Sequence, residues 1–142
     1  MSCIIIHTLV RDTILSKKKI KETVVKIIRR ERISGDVSIH AIGERRMAAL
    51  NRLYRGRSNP TDVLSFPARE GEAAFRQTEL GDIFLCPGYI RRQAKRFGVS
   101  GEEECLRSLI HGMLHLLGYD HQRRAESAEM FRRQEKYLKI CL

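Results

Sequence analysis

Hydrophobic and polar positions change period several times along the chain, and each change marks an element. Residues 3–10 form a near-continuous apolar, β-branched run, the pattern of a strand buried on both faces. Between Ser16 and Arg30, Ile20, Val24, Ile27 and Ile28 recur at helical spacing, with Lys and Arg on the other side. Ser34-Gly35-Asp36 breaks that helix. Val37, Ile39 and Ala41 then alternate with Ser38 and His40, as in a half-buried strand. Residues 44–54 predict a second helix with Met47, Leu50, Leu53 and Tyr54 on one stripe. The turn-forming stretch 55–60 leads into a third strand, 61–66, stopped by Pro67. Residues 68–78 lack periodicity and read as a mobile loop, and a fourth strand covers 80–85.

Pro87 suits the first position of a third helix, whose apolar face is Ile90, Ala94 and Phe97 and which Gly98 ends. Ser100 and Glu103 make a capping box for a fourth helix. Leu106, Leu109, Ile110, Met113, Leu114 and Leu117 make that helix the most buried in the chain. A last helix over 123–140 turns Phe131 and Leu138 inward. The order predicts an α+β fold: one domain over residues 1–142, with a small mixed sheet packed by helices.

Composition adds limits. No apolar run approaches the roughly 18 residues of a membrane span, and the first residues lack the marks of a signal peptide. Cys3, Cys86, Cys105 and Cys141 are scattered in apolar contexts and read as buried thiols, which places the protein in a reducing, cytoplasmic setting. The formal net charge of +10 points to a polyanionic partner, nucleic acid before membrane. With no Trp, four Tyr and five Phe, an extended stacking platform for single strands is not expected.

Three of the five histidines fall within the stretch 111–121. His111 and His115 stand four apart, on one face of the fourth helix. Gly118 suits the left-handed residue that ends a helix, after which the chain can double back and present His121. Three imidazoles with a fourth place for water form a catalytic metal site, in which hydroxide is available at neutral pH. Capping the helix end would account for one of these histidines and not for three. The spacing also matches metzincin proteases except at Gly112, where those enzymes carry a Glu as general base. Cleaving a phosphodiester further needs a cation for the charge on the non-bridging oxygens. Arg55, at a helix end beside a Gly turn, is the candidate, although it could also only offset its helix dipole. Asp120 reads equally as an orienting partner or base and as a turn residue. Asp62 and Asp82 read as turn caps at strand starts, and His7 and His40 as ordinary strand histidines.

Four blocks in order over about the last two thirds of the chain carry a resemblance: Asn51-Arg52-Leu53-Tyr54-Arg55, Pro60-Thr61-Asp62-Val63-Leu64-Ser65-Phe66-Pro67, Leu80-Gly81-Asp82-Ile83 and the histidine stretch 111–121. They resemble the YbeY family of bacterial rRNA maturation factors and single-strand-specific endoribonucleases. The resemblance implies a zincin-like helix, one zinc ion per chain held by His111, His115 and His121, and Arg55 as the functional arginine. It also implies single-stranded RNA as substrate, processing near the 3′ end of small-subunit rRNA, and ribosome quality control, with no DNA or membrane partner. Two rivals remain at this stage. One is a metalloprotease-like amide hydrolase. The other is a non-catalytic RNA-binding assembly factor whose metal only staples a helix end.

Overall fold

The computed structural model describes residues 2–68, 79–119 and 124–142. In chain order the elements are β1 (Ile4–Thr8), α1 (Lys17–Arg30), β2 (Asp36–Ala41), α2 (Glu44–Arg55), β3 (Val63–Pro67), β4 (Glu79–Leu85), α3 (Pro87–Phe97), α4 (Gly101–Leu116) and α5 (Arg124–Cys141). The strands form one mixed sheet in the order β1-β2-β4-β3. The first two pairings are parallel, and β3 runs antiparallel to β4. The predicted α+β architecture is observed. The loop expected over residues 68–78 lies, from residue 69 on, outside the described residues.

Alternation decides which face of the sheet is covered. Val37 pairs with Gly81 and Ile39 with Ile83, so the buried positions of β2 and β4 share one face. Against that face lie Ile20, Val24 and Ile27 of α1 and Leu109, Ile110 and Met113 of α4, which build the main core. Helix α4 is apolar nearly all round, and it is enclosed by the sheet, α1, α3 and α5. On the opposite face α2 closes a smaller core of Ile42, Met47, Leu64 and Cys86. Ser16 caps α1 and Ser100 caps α4, each accepting from the backbone N–H three residues on. Among the described residues no helix is long and apolar enough to cross a membrane.

Several sequence expectations need correction. Strand β1 is not buried on both faces: it is an edge strand, with Ile5 46% and Leu9 58% exposed. An apolar run cannot show whether a second layer exists to cover it. Leu53 and Tyr54 are exposed because α2 buries only Met47 and Asn51, and Tyr54 rests its ring on Phe66 (centroids 4.8 Å apart). Phe97 and Phe131 are likewise exposed. In α5 the inward stripe is Met130, Gln134, Tyr137, Leu138 and Cys141, one position away from Phe131. Cys3 is exposed, whereas the other three cysteines are buried.

Candidate active site

The fourth helix ends as its sequence predicts. Gly118 takes φ +96°, its N–H donates to His115 O (3.0 Å), and the Tyr119 N–H donates to Leu114 O (3.0 Å). This paired closure satisfies the last carbonyls of the helix. Tyr119 then donates its hydroxyl to Glu31 Oε1 (2.6 Å), and Tyr137 and Arg133 bind the other oxygen of the same carboxylate. The chain is therefore tied to α1 and α5 at the point where it enters 120–123. His121 and Asp120 lie outside the described residues.

His111 and His115 are half-buried on one face of α4, their ring centroids 4.8 Å apart. They line a cleft of about 450 Å³ that Arg55 also lines, together with residues of β3, α3 and α5. Three of the four predicted site residues thus converge from two distant segments. Arg55 is the last residue of α2, and Asn51, one turn earlier, donates to Asn59 O (2.8 Å) and ties the following loop back to the helix. No described acid forms an ion pair with Arg55. Arg107, which also lines the cleft, is gripped by Glu103, Glu104 and Glu135. Its charge is spent within the protein, which leaves Arg55 as the described cleft arginine that no described carboxylate holds.

One polar contact sets the chemistry of His111. Its Nδ1 lies 2.6 Å from Gln134 Oε1. The amide orientation follows from the neighbour: Gln134 Nε2 donates to Glu135 Oε2 (3.3 Å), a carboxylate that also accepts from Arg107 Nε (3.1 Å). Gln134 therefore faces His111 with its carbonyl and Nδ1 is the donor, an arrangement that in the neutral tautomer puts the lone pair on Nε2. A metal-ligating imidazole needs this arrangement. Two imidazoles on one helix face, one of them so oriented, fit a divalent ion. Among the described residues, which do not include His121, no group of three ligating side chains is gathered. Burial pushes the Cys105 thiol up to about 12 and also raises that of Cys86, so neither is a ready thiolate.

Gly112 explains the missing protease base. A Cβ built there would lie 3.0 Å from Ser65 Oγ and 3.1 Å from methyl carbons of Ile83 and Val63. Ser65 donates to the Gly112 carbonyl (3.0 Å). The helix meets the sheet at this residue, and that contact turns His111 and His115 toward the cleft. A Cβ there would be tighter than ordinary packing and would make these neighbours give by a few tenths of an ångström.

Other residues are placed differently from the sequence reading. Asp62 is no simple turn cap: it lines the cleft and accepts from Ser108 Oγ (2.9 Å) and Gln93 Nε2 (3.3 Å). Asp82 stands within β4 and pairs with His40 Nε2 (2.9 Å) on the sheet face away from α4. The His40 ring stacks between His7 and Phe84, away from the cleft. Gln134 was not singled out from sequence. Its only signal is a polar residue inside the apolar stripe Met130, Tyr137, Leu138, Cys141.

Comparison with known proteins identifies the family. The family model described as Endoribonuclease YbeY matches residues 6–141. A Persephonella marina protein named Endoribonuclease YbeY is 40% identical over 138 residues, covering 96% of this chain and 90% of its own. One of the same name from Thermotoga maritima is 38% identical over 124 residues, covering 85% and 77%. A Thermotoga maritima solution structure superposes with a TM-score of 0.67 at 32% identity, over 99% of this chain and 89% of that one. With the match running nearly end to end and through every strand and helix described above, this chain belongs to the YbeY family.

Proposed function

We propose that this protein is a metal-dependent endoribonuclease that cuts single-stranded RNA during maturation of the small-subunit rRNA 3′ end, in the cytoplasm and in contact with the ribosomal small subunit. The observation that carries the reading is the meeting of Arg55 with His111 and His115 in one cleft. His111, His115 and His121 would hold the ion, and zinc suits an all-imidazole set. When bound, a divalent ion there supplies Lewis acidity and lowers the pKa of water. Arg55 grips the non-bridging oxygens through two parallel N–H donors and stabilises the charge that builds on them. Gln134 keeps the His111 lone pair on Nε2. A cleft of about 450 Å³ is of a size to take one nucleotide. Names of the relatives support the nuclease reading. The amide-hydrolase alternative lacks its base at Gly112, a position tightly packed against β3 and β4.

Arg55→Ala tests the reading. It is expected to keep its metal content and its melting temperature, because the side chain is exposed and no described acid is paired to it. Single-turnover cleavage of single-stranded RNA should fall on the order of 10²-fold or more. Arg55→Lys should recover only part of the rate. A variant that loses stability but cuts at the wild-type rate per folded molecule would refute the role.

A further inference from the structure

One stretch of the cleft is not used by the cleavage chemistry. Glu104, Ser108, His111 and His115 share one face of α4, and Glu104 stands seven residues before His111, about 10 Å along the helix. At that end the lining combines an aromatic ring with hydrogen-bond acceptors. Phe97 is 61% exposed, although it lies three residues after the buried Ala94, and it lines the cleft. Asp62 accepts from Ser108 Oγ and Gln93 Nε2 on Oδ2 and from Thr61 Oγ1 (3.2 Å) on Oδ1, and the capacity left on Oδ1 is a lone pair. Glu104 is 2% exposed. Arg107 binds its Oε1, and no described residue donates to its Oε2. A buried acceptor without a donor is costly and is open to a ligand that brings one.

This end repels phosphate and favours N–H donors, since the charge of Arg107 is taken up by three carboxylates. A flat ligand with amino hydrogens on its edge satisfies both the ring and the acceptors. Resting on the endoribonuclease reading, we propose that this end of the cleft seats one base beside the scissile phosphate. It selects bases with an exocyclic amino group (cytosine, adenine, guanine) over uracil. Uracil flanks its single N–H with two carbonyls, and these would face carboxylate oxygens. Phe97 supplies the stacking surface.

The test uses the metal-loaded full chain and a single-stranded RNA library with all bases around each phosphate. Cut sites are mapped for wild type, Phe97→Ala, Phe97→Trp and Asp62→Asn, and binding of pentacytidylate and pentauridylate is measured in parallel. Wild type should cut beside amino-bearing bases on the order of 10-fold more often than beside uracil, and should bind pentacytidylate more tightly. Phe97→Ala should weaken pentacytidylate binding on the order of 10-fold, with Phe97→Trp restoring it. Asp62→Asn, which adds an amide donor, should raise the use of uracil. Thermal melts of each variant establish folding, which an exposed Phe97 does not govern. Cleavage without base discrimination, or Phe97→Ala with wild-type binding and cut pattern, overturns the base site and leaves the nuclease reading intact. Absence of RNA cleavage by any of the proteins overturns both.

Discussion

Replacing Gln134 by Leu removes one hydrogen-bond acceptor from the site while nearly keeping side-chain volume. Gln134 is 7% exposed, so no bulk water replaces its carbonyl opposite His111 Nδ1. A buried donor left unsatisfied costs about 1–3 kcal/mol, and the added apolar burial of Leu offsets part of it. A net loss of about 1–2 kcal/mol corresponds, for a chain of this size, to a melting temperature lower by roughly 3–8 °C without metal. The larger effect falls on metal binding. Without the acceptor, His111 populates both tautomers and only one keeps its lone pair on Nε2. Removing a partner that orients a ligand imidazole typically weakens binding about 10–100-fold, or about 1.4–2.7 kcal/mol. Zinc affinity measured by competition with a chelating indicator, and melts with and without zinc, separate the two effects. The zinc-induced rise in melting temperature should shrink in the variant, since linkage ties that rise to affinity. Zinc affinity within threefold of wild type, beside a lowered melting temperature, would show that Gln134 only fills space and would refute the reasoning.

Further outcomes follow from the same geometry. Gly112→Glu should destabilise by about 1–3 kcal/mol, because Val63, Ser65 and Ile83 already crowd the position a Cβ would take; a urea melt that matches wild type would contradict the close contact between α4 and the sheet. Glu31 gives a pH dependence. Burial alone would raise its pKa, but hydrogen bonds from Tyr119 and Tyr137 and the charge of Arg133 outweigh this and hold it below its ordinary value of 4.5. Its stabilisation is therefore complete above about that pH and is lost as pH falls through the lower folded value. Glu31→Gln should cost about 2 kcal/mol at neutral pH, and its stability should change less on acidification than that of wild type; parallel acid-induced loss in both proteins would exclude the carboxylate as the cause.

Local periodicity was enough to read most of the fold. The alternation of Val37, Ile39 and Ala41, the stripe Ile20, Val24, Ile27 and Ile28, and the Ser16 and Ser100 caps each depend on neighbours within a turn or two, and each appears where expected. The four-residue spacing of His111 and His115 and the helix end at Gly118 were legible for the same reason. Which faces are covered was not legible, because coverage depends on elements far away in the chain. Residues 3–10 read as fully buried, but β1 stands at the sheet edge. Phe97 and Phe131 read as core, but other residues fill the inward positions. The partners of the site were hidden for the same reason. Gln134 meets His111 across 23 residues and Asp62 meets Ser108 across 46. Nothing at Gly112 in sequence shows that Val63, Ser65 and Ile83 press against it. Sequence by itself determined which residues are candidates for the chemistry and which local elements carry them. Only the packing of α4 between the sheet and α5 decided which of them share a cleft, since hydrogen bonds and steric contacts depend on distance in space and not on separation along the chain.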